Sequence, residues 1–293
     1  LRNKIKQAGN HARLDGSIRL WRVIVEQSYI NRFHRTHPVP YVLNAGGFSL
    51  ELTLESGQVF HWRKQSDGSY AGMVQDYPVF IRQEGRRLRV TSHCPRELVR
   101  RYFAMDHQEE KILATLPRDE FLSPAIDYCH GLRIMRQPDW ECLASFITSS
   151  MKQVTHIQQI NHALRRNYGQ KVSLCDQDFY TFPSAQALAR VEEEELRETC
   201  RLGWRAPTLL QTAEMVTSRK FRMGRYRRLA YDQAHSELCN LPGIGPKVAN
   251  CVLLFAFEKL EAFPIDVWIE RALRECYFRD ARKKPTAGEL REF

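Results

Sequence analysis

A lysine and an aspartate nineteen residues apart, Lys247 and Asp266, are the side chains of this 293-residue sequence best placed to do chemistry. Lys247 closes the stretch Leu241-Pro242-Gly243-Ile244-Gly245-Pro246-Lys247, where two glycines around an apolar residue let the chain reverse between two helices. The second helix opens with amide N–H groups pointing out of the turn. With the positive end of the helix dipole they form an anion site suited to a DNA phosphate, and Gly243 and Gly245 supply its backbone. The carbonyls of Cys239, Leu241 and Ile244 are left to coordinate a monovalent cation. This is the helix-hairpin-helix pattern, of which an ordinary helical hairpin is the plainer version.

An ammonium at a helix N-terminus opposes the dipole, which favours the neutral amine. A neutral amine is a nucleophile that forms a Schiff base with a sugar aldehyde carbon. The alternative is a solvated lysine resting on a phosphate. Asp266 bears on the choice, because an antiparallel return after the helix ending near Phe257 brings it back towards Lys247. A carboxylate there accepts the amine proton or stabilises positive charge on a deoxyribose as its base departs. Taken alone Asp266 reads as an N-cap, a role compatible with catalysis.

The elements that position these groups fall into two textures. From Phe48 to Ser92 apolar and polar residues alternate, and Phe48, Leu50, Leu52 and Leu54 share one face of a predicted strand. Further strands are expected at Tyr70–Val74, Val79–Gln83 and Leu88–Thr91, with turns at Ser56-Gly57 and Ser66-Asp67-Gly68. After Pro95 the pattern is helical, from Arg96–Met105 to Thr286–Phe293, with Ser184 as an N-cap and Pro207 in a first turn. The expected fold is α+β, a small N-terminal antiparallel β-sheet domain followed by an α-helical bundle. Its divisions are a basic extension over 1–45, a sheet domain over 46–95 and a helical domain over 96–293.

Composition excludes whole classes. At 43% hydrophobic and 11% aromatic the chain buries a core, and its longest apolar run, Cys251–Phe257, falls far short of the roughly 20 residues a membrane helix needs. The net charge of +10 is uneven: residues 1–40 hold +6 of it, leaving +4 on the rest. Eight cysteines without a C-x-x-C pair read as reduced thiols in an intracellular protein, and the missing short-spaced ligand pairs disfavour zinc. The basic run Arg219–Arg228 is as well explained by a solvated face and is given no role.

Leu241–Lys247 followed by Phe263-Pro264-Ile265-Asp266-Val267 resembles the helix-hairpin-helix DNA glycosylase superfamily. More narrowly, the chain is similar to the 8-oxoguanine DNA glycosylase family with AP lyase activity. The resemblance covers about residues 46–293, through Ser56-Gly57-Gln58 with Phe60 and Trp62-Arg63, Glu141-Cys142-Leu143 with Ser145-Phe146-Ile147, Leu202-Gly203-Trp204-Arg205-Ala206 and Lys247-Val248-Ala249-Asn250-Cys251. It implies that Lys247 is the nucleophile and Asp266 its partner. Gly57 would offer its carbonyl to the N7 hydrogen that 8-oxoguanine has and guanine lacks, and Cys251 would pack on one face of the flipped base. Trp204 would be a wedge beside the orphaned base and Arg205 a reader of the opposite cytosine, with Met151 entering the duplex.

Some positions depart from the family pattern. His156 replaces a family arginine, Trp268 stands where some members have a histidine, and the family's pocket-closing C-terminal helix falls beyond Phe293. The resemblance implies double-stranded DNA carrying oxidised guanine as partner, no membrane, a monomer, no required cofactor and no iron–sulfur cluster. Location follows the DNA, in the bacterial nucleoid or the nucleus. An alkylated-base glycosylase using the aspartate and water, or a non-catalytic helix-hairpin-helix DNA binder, are the competing readings.

Overall fold

The structure, a computed structural model, describes residues 38–149, 153–279 and 289. Residues 1–37 of the extension, Met151 and, Glu289 apart, the helix expected at Thr286–Phe293 lie outside the described residues.

The sheet unit begins with β1 (Tyr41–Asn44), α1 (Leu50–Glu55), β2 (Arg63–Lys64), β3 (Tyr70–Val74), β4 (Tyr77–Glu84) and β5 (Arg87–Thr91). Its five strands are antiparallel in the order β1-β5-β4-β3-β2. The strand expected through Leu50, Leu52 and Leu54 is instead the helix α1. Leu50 and Leu54 are four apart, so they share a helical face as readily as a strand face. The local cap decides between them: Ser49 Oγ accepts the Leu52 N–H at 3.3 Å, and Leu50, Thr53 and Leu54 are buried while Leu52 is half-exposed. The extension expected over 1–45 also loses its last residues to the sheet, because Tyr41 and Leu43 point inward and β1 pairs with β5 from Tyr41↔Val90 to Asn44↔Arg87. Two inward-facing residues in a four-residue edge strand, with the apolar Val42 facing out between them, carry too little periodicity to be seen in sequence.

The packing of the sheet runs past residue 95. Helix α2 (Arg96–Tyr102) sends Val99 and Tyr102 into the same core as Val74, Val79, Leu88 and Val90, and Phe103 and Met135 complete it. Two short helices, α3 (Glu109–Leu113) and α4 (Leu122–Tyr128), lead to α5 (Asp139–Ser149) and α6 (Val154–Tyr168). A hairpin of β6 (Lys171–Leu174) and β7 (Gln177–Tyr180) follows where only helices were expected. Its turn residues Cys175 and Asp176 both adopt positive φ. That geometry suits the right-handed twist of two strands, although Cys-Asp is not a usual signature for it. Leu174 and Phe179 pack on Ala71, Met73 and Phe80, so the hairpin lies against the first sheet.

The remaining helices are α7 (Ala185–Leu188), α8 (Glu193–Cys200), α9 (Ala206–Thr217), α10 (Tyr231–Cys239), α11 (Pro246–Phe257) and α12 (Val267–Tyr277), with 3-10 turns at Gly203–Arg205 and Met223–Arg227. At the centre α5 and α11 pack on each other, α5 buried from Glu141 to Ser149 and α11 buried along most of its length from Val248 to Phe257. Among the described residues, no helix is long and apolar enough to cross a membrane.

Buried charges tie sheet to bundle. Glu141 of α5 pairs with Arg165 of α6 and faces His61 Nδ1 at 3.3 Å, while His61 Nε2 lies 2.9 Å from the Met73 carbonyl. Removing one partner of such a pair strands the other, so Glu141→Ala is expected to lower stability by about 3–5 kcal/mol, read from the denaturant midpoint. Burial holds His61 well below the usual imidazole range, and burial with the charges of Arg63 and Arg165 brings His162 down to about 4. In the unfolded chain both imidazoles take up protons below about pH 6.5. Folded, they resist protonation, so stability falls as pH drops from about 6.5 towards about 4. A melting-temperature series over that range checks the slope, and His162→Gln should flatten part of it.

Candidate active site

The hairpin between α10 and α11 is fixed from two sides. Gly243 sits at φ +69°, and a Cβ there would meet the Thr208 side chain of α9 at 2.6 Å. Only glycine satisfies both the left-handed backbone and that close approach. Ile244 is buried beneath the turn, while Gly243, Gly245 and Pro246 are exposed. Gly245 caps α11 with φ −89°, and a Cβ there would meet only open space. Pro246 fills the first helical position, where its missing N–H costs nothing. The Lys247 and Val248 amides then open the helix towards the exposed side of the turn. The Leu241 carbonyl accepts the Ile244 N–H at 3.2 Å, which leaves its second lone pair for a cation.

Lys247, half-buried, crosses from the start of α11 to the end of α5. Its Nζ donates to Ser149 Oγ at 3.3 Å and stands 5.2 Å over the Phe146 ring. Phe146 stacks on Phe255 of α11 and meets Phe60 edge-on, so a column of three buried rings sets the floor under the amine. Phe146 and Ser149 are three apart on one face of α5, a spacing that the sequence shows but that acquires meaning only once α5 lies beside α11. These two, with Thr208, are site residues that sequence reasoning missed.

Asp266 is the N-cap of α12, its Oδ1 accepting the N–H groups of Trp268 at 3.0 Å and Ile269 at 2.9 Å. Oδ1 is thereby spent on the helix start, and among the described residues no ion pair joins Asp266 to Lys247. Both charges nonetheless converge on Cys251. Burial pushes that thiol up to about 11, with Lys247 pulling it down and Asp266 pushing it up. Lys247 and Asp266 thus both lie within electrostatic reach of the Cys251 thiol.

Gly57 follows the last turn of α1 at φ +82°, with open space where a Cβ would project. It is the residue after a helix C-cap, not the tip of a strand hairpin. Trp204, on the 3-10 turn Gly203–Arg205, is 57% exposed, whereas Arg205 is 4% exposed, with its guanidinium 4.4 Å over the Trp204 ring. Burial pulls that guanidinium below its ordinary range. The expected wedge is therefore presented to solvent, and the expected base reader is folded against it. His156, exposed on the first turn of α6, lines an open cavity of about 470 Å³ with Gln159, Ile160, Thr199 and Arg201, beside the chain that leads to Trp204.

An amine at the start of the helix after a glycine hairpin, a carboxylate capping the next helix and a thiol within electrostatic reach of both suit nucleophilic attack on a nucleic-acid sugar. The comparisons point the same way. Residues 144–293 match the HhH-GPD superfamily of base excision DNA repair proteins, and residues 41–143 match the 8-oxoguanine DNA glycosylase N-terminal domain. A probable N-glycosylase/DNA lyase of Methanothermobacter thermautotrophicus is 31% identical over 79% of this chain and 83% of its own length. MBOgg1, solved with a low-affinity DNA ligand, superposes with a TM-score of 0.82 at 29% identity, covering 88% of this chain and 90% of that one. The Clostridium acetobutylicum 8-oxoguanine glycosylase/lyase, solved on duplex DNA with cytosine opposite 8-oxoguanine, gives 0.80 at 26%, covering 86% and 90%. Fold and site together define a helix-hairpin-helix protein of base-excision DNA repair. Within that class, the chain belongs to the 8-oxoguanine DNA glycosylase family.

Proposed function

We propose that this protein excises 8-oxoguanine from duplex DNA and then nicks the abasic strand by β-elimination. The observation that carries this reading is the half-buried Lys247 amine, held against Ser149 and Phe146 at the start of the helix that follows the glycine hairpin, with Asp266 capping the next helix. The Lys247 amine attacks C1′, the glycosidic electron pair leaves with the base, and ring opening gives an imine between Nζ and C1′. The imine acidifies the C2′ proton, whose loss expels the 3′ phosphate. Asp266, through the oxygen not engaged by the helix amides, accepts the amine proton and stabilises positive charge on the sugar.

Recognition is assigned around that centre. The Gly57 carbonyl accepts the N7–H of 8-oxoguanine, where guanine would present a lone pair at a cost of a few kcal/mol. Cys251 packs on one face of the base, and Trp204 fills the space it vacates. Arg205 must swing out from behind Trp204 to reach the opposite cytosine, with His156 beside it. The carbonyls of Cys239, Leu241 and Ile244 form an all-oxygen set fitting a hard monovalent cation that would brace the hairpin. The protein works where the DNA is, in a bacterial nucleoid or a nucleus.

Incubation with duplexes carrying 8-oxoguanine opposite cytosine, followed by borohydride reduction, tests the reading. Excision with a covalent protein–DNA adduct is expected. Activity confined to alkylated purines, or tight binding without turnover, would overturn it. The hairpin has its own test. Gly243→Ala is expected to cost about 1–3 kcal/mol of stability, because it adds both backbone strain and the Thr208 clash. Gly245→Ala has room in the free protein, so it should leave the melting temperature in place while weakening duplex binding by crowding the phosphate.

A further inference from the structure

Gly57 stands on the sheet unit, whereas Lys247 and Cys251 stand on α11. Whatever discriminates the base must hold these two bodies in register, and the described hydrogen bonds show how. Gln58, next to Gly57, is buried with its side-chain amide engaged at both ends. Its Nε2 donates to the carbonyls of Thr53 at 3.3 Å and Arg133 at 2.8 Å, and its Oε1 accepts the Met135 N–H at 2.8 Å. Its main-chain carbonyl accepts from Gln137 Nε2 at 2.6 Å. Gln137, buried as well, donates its own backbone N–H to the Phe255 carbonyl of α11 at 2.8 Å.

Phe255 lies one helical turn beyond Cys251. One residue therefore grips the backbone beside Gly57 with its side chain and the helix of the nucleophile with its main chain. The side-chain grip is the part that substitution can remove. Losing it leaves the Gln58 carbonyl buried without that donor and frees the adjoining peptide plane to rotate. That plane is the one carrying the Gly57 carbonyl.

We infer that Gln137 is a positioning residue that sets the Gly57 carbonyl relative to α11 and so governs base recognition without touching the reacting atoms. This rests on the proposed function, and specifically on Gly57 as the base reader. Because a preformed abasic site has no base to read, excision and strand cleavage must respond differently. A misplacement of about an ångström, even from a substitution far from the chemistry, can cost on the order of 10²-fold. Gln137→Met, which keeps the volume and removes the donor, is expected to slow 8-oxoguanine excision roughly 10–100-fold. Its β-elimination at a preformed abasic duplex should stay within about twofold of the native chain.

Gln137→Glu supplies a second readout. A buried carboxyl favours its neutral form, which donates a hydrogen bond, whereas the ionised form cannot. Relative to the native chain, its excision should recover as pH falls from about 8 to about 6, with its β-elimination ratio flat. Where Gln137→Met does not fold, this profile carries the test. Equal loss of excision and β-elimination, or an excision ratio unchanged in both variants, overturns the inference and leaves the proposed function standing. Failure of the native chain to excise 8-oxoguanine removes that function, and the inference with it.

Discussion

Lys247→Gln yields a folded protein that binds 8-oxoguanine duplex and does nothing to it. Excision is expected to fall by about 10⁴-fold or more, the scale on which loss of a catalytic nucleophile is felt, and the borohydride adduct disappears. The structure explains why the loss is selective. Lys247 is half-buried, and its polar and ring contacts among the described residues are one 3.3 Å bond to Ser149 and the face of Phe146, so removing the ammonium is expected to change stability by about 1 kcal/mol at most. The hairpin amides that open α11 belong to the backbone and survive the substitution. Loss of one positive charge near the phosphates weakens duplex binding by about tenfold or less at moderate salt. Gel-shift titration and single-turnover excision on the same duplex separate the two quantities. An adduct persisting in Lys247→Gln would assign the nucleophile elsewhere.

Asp266→Asn is expected to slow excision roughly 10²–10³-fold while leaving the melting temperature within a degree or two. On the proposed mechanism Asp266 has two jobs, and asparagine keeps only one. Its side-chain oxygen caps a helix about as well as a carboxylate, so the bonds to Trp268 and Ile269 remain. The negative charge that meets the developing positive sugar is gone. Asp266→Ala loses both and should add about 1 kcal/mol of destabilisation. The pair of variants, followed by thermal melts and single-turnover rates, thus apportions one residue between structure and catalysis. Equal rates in Asp266→Asn and the native chain would leave Asp266 as a cap alone.

What could be read in the sequence follows from how local the information is. The hairpin was legible because two glycines, a plug residue and a lysine lie within seven positions, and each constraint acts on its neighbours. Strands β3, β4 and β5 were legible because alternation and turns recur at short spacing. Helix α1 was misread because Leu50 and Leu54 satisfy both periods, and the deciding contact is a single hydroxyl, Ser49. The floor of the site was illegible for another reason. Phe60, Phe146 and Phe255 come from three distant segments, and nothing in any one of them specifies the stacking. Arg205 shows the same limit from the other side, since the family resemblance suggests a reader of bases but its burial depends on how the 3-10 turn folds back.

The hairpin of β6 and β7 has a consequence during synthesis. The patch it covers, Ala71, Met73 and Phe80, is made about 100 residues before Leu174 and Phe179 arrive to shield it. At ribosomal rates that interval lasts roughly 5–20 s, with an apolar surface bared on a nascent sheet. For this enzyme the hazard of misassembly is greatest between the synthesis of β4 and that of β7, and a chaperone that shelters residues 70–80 over that interval is expected to raise its yield.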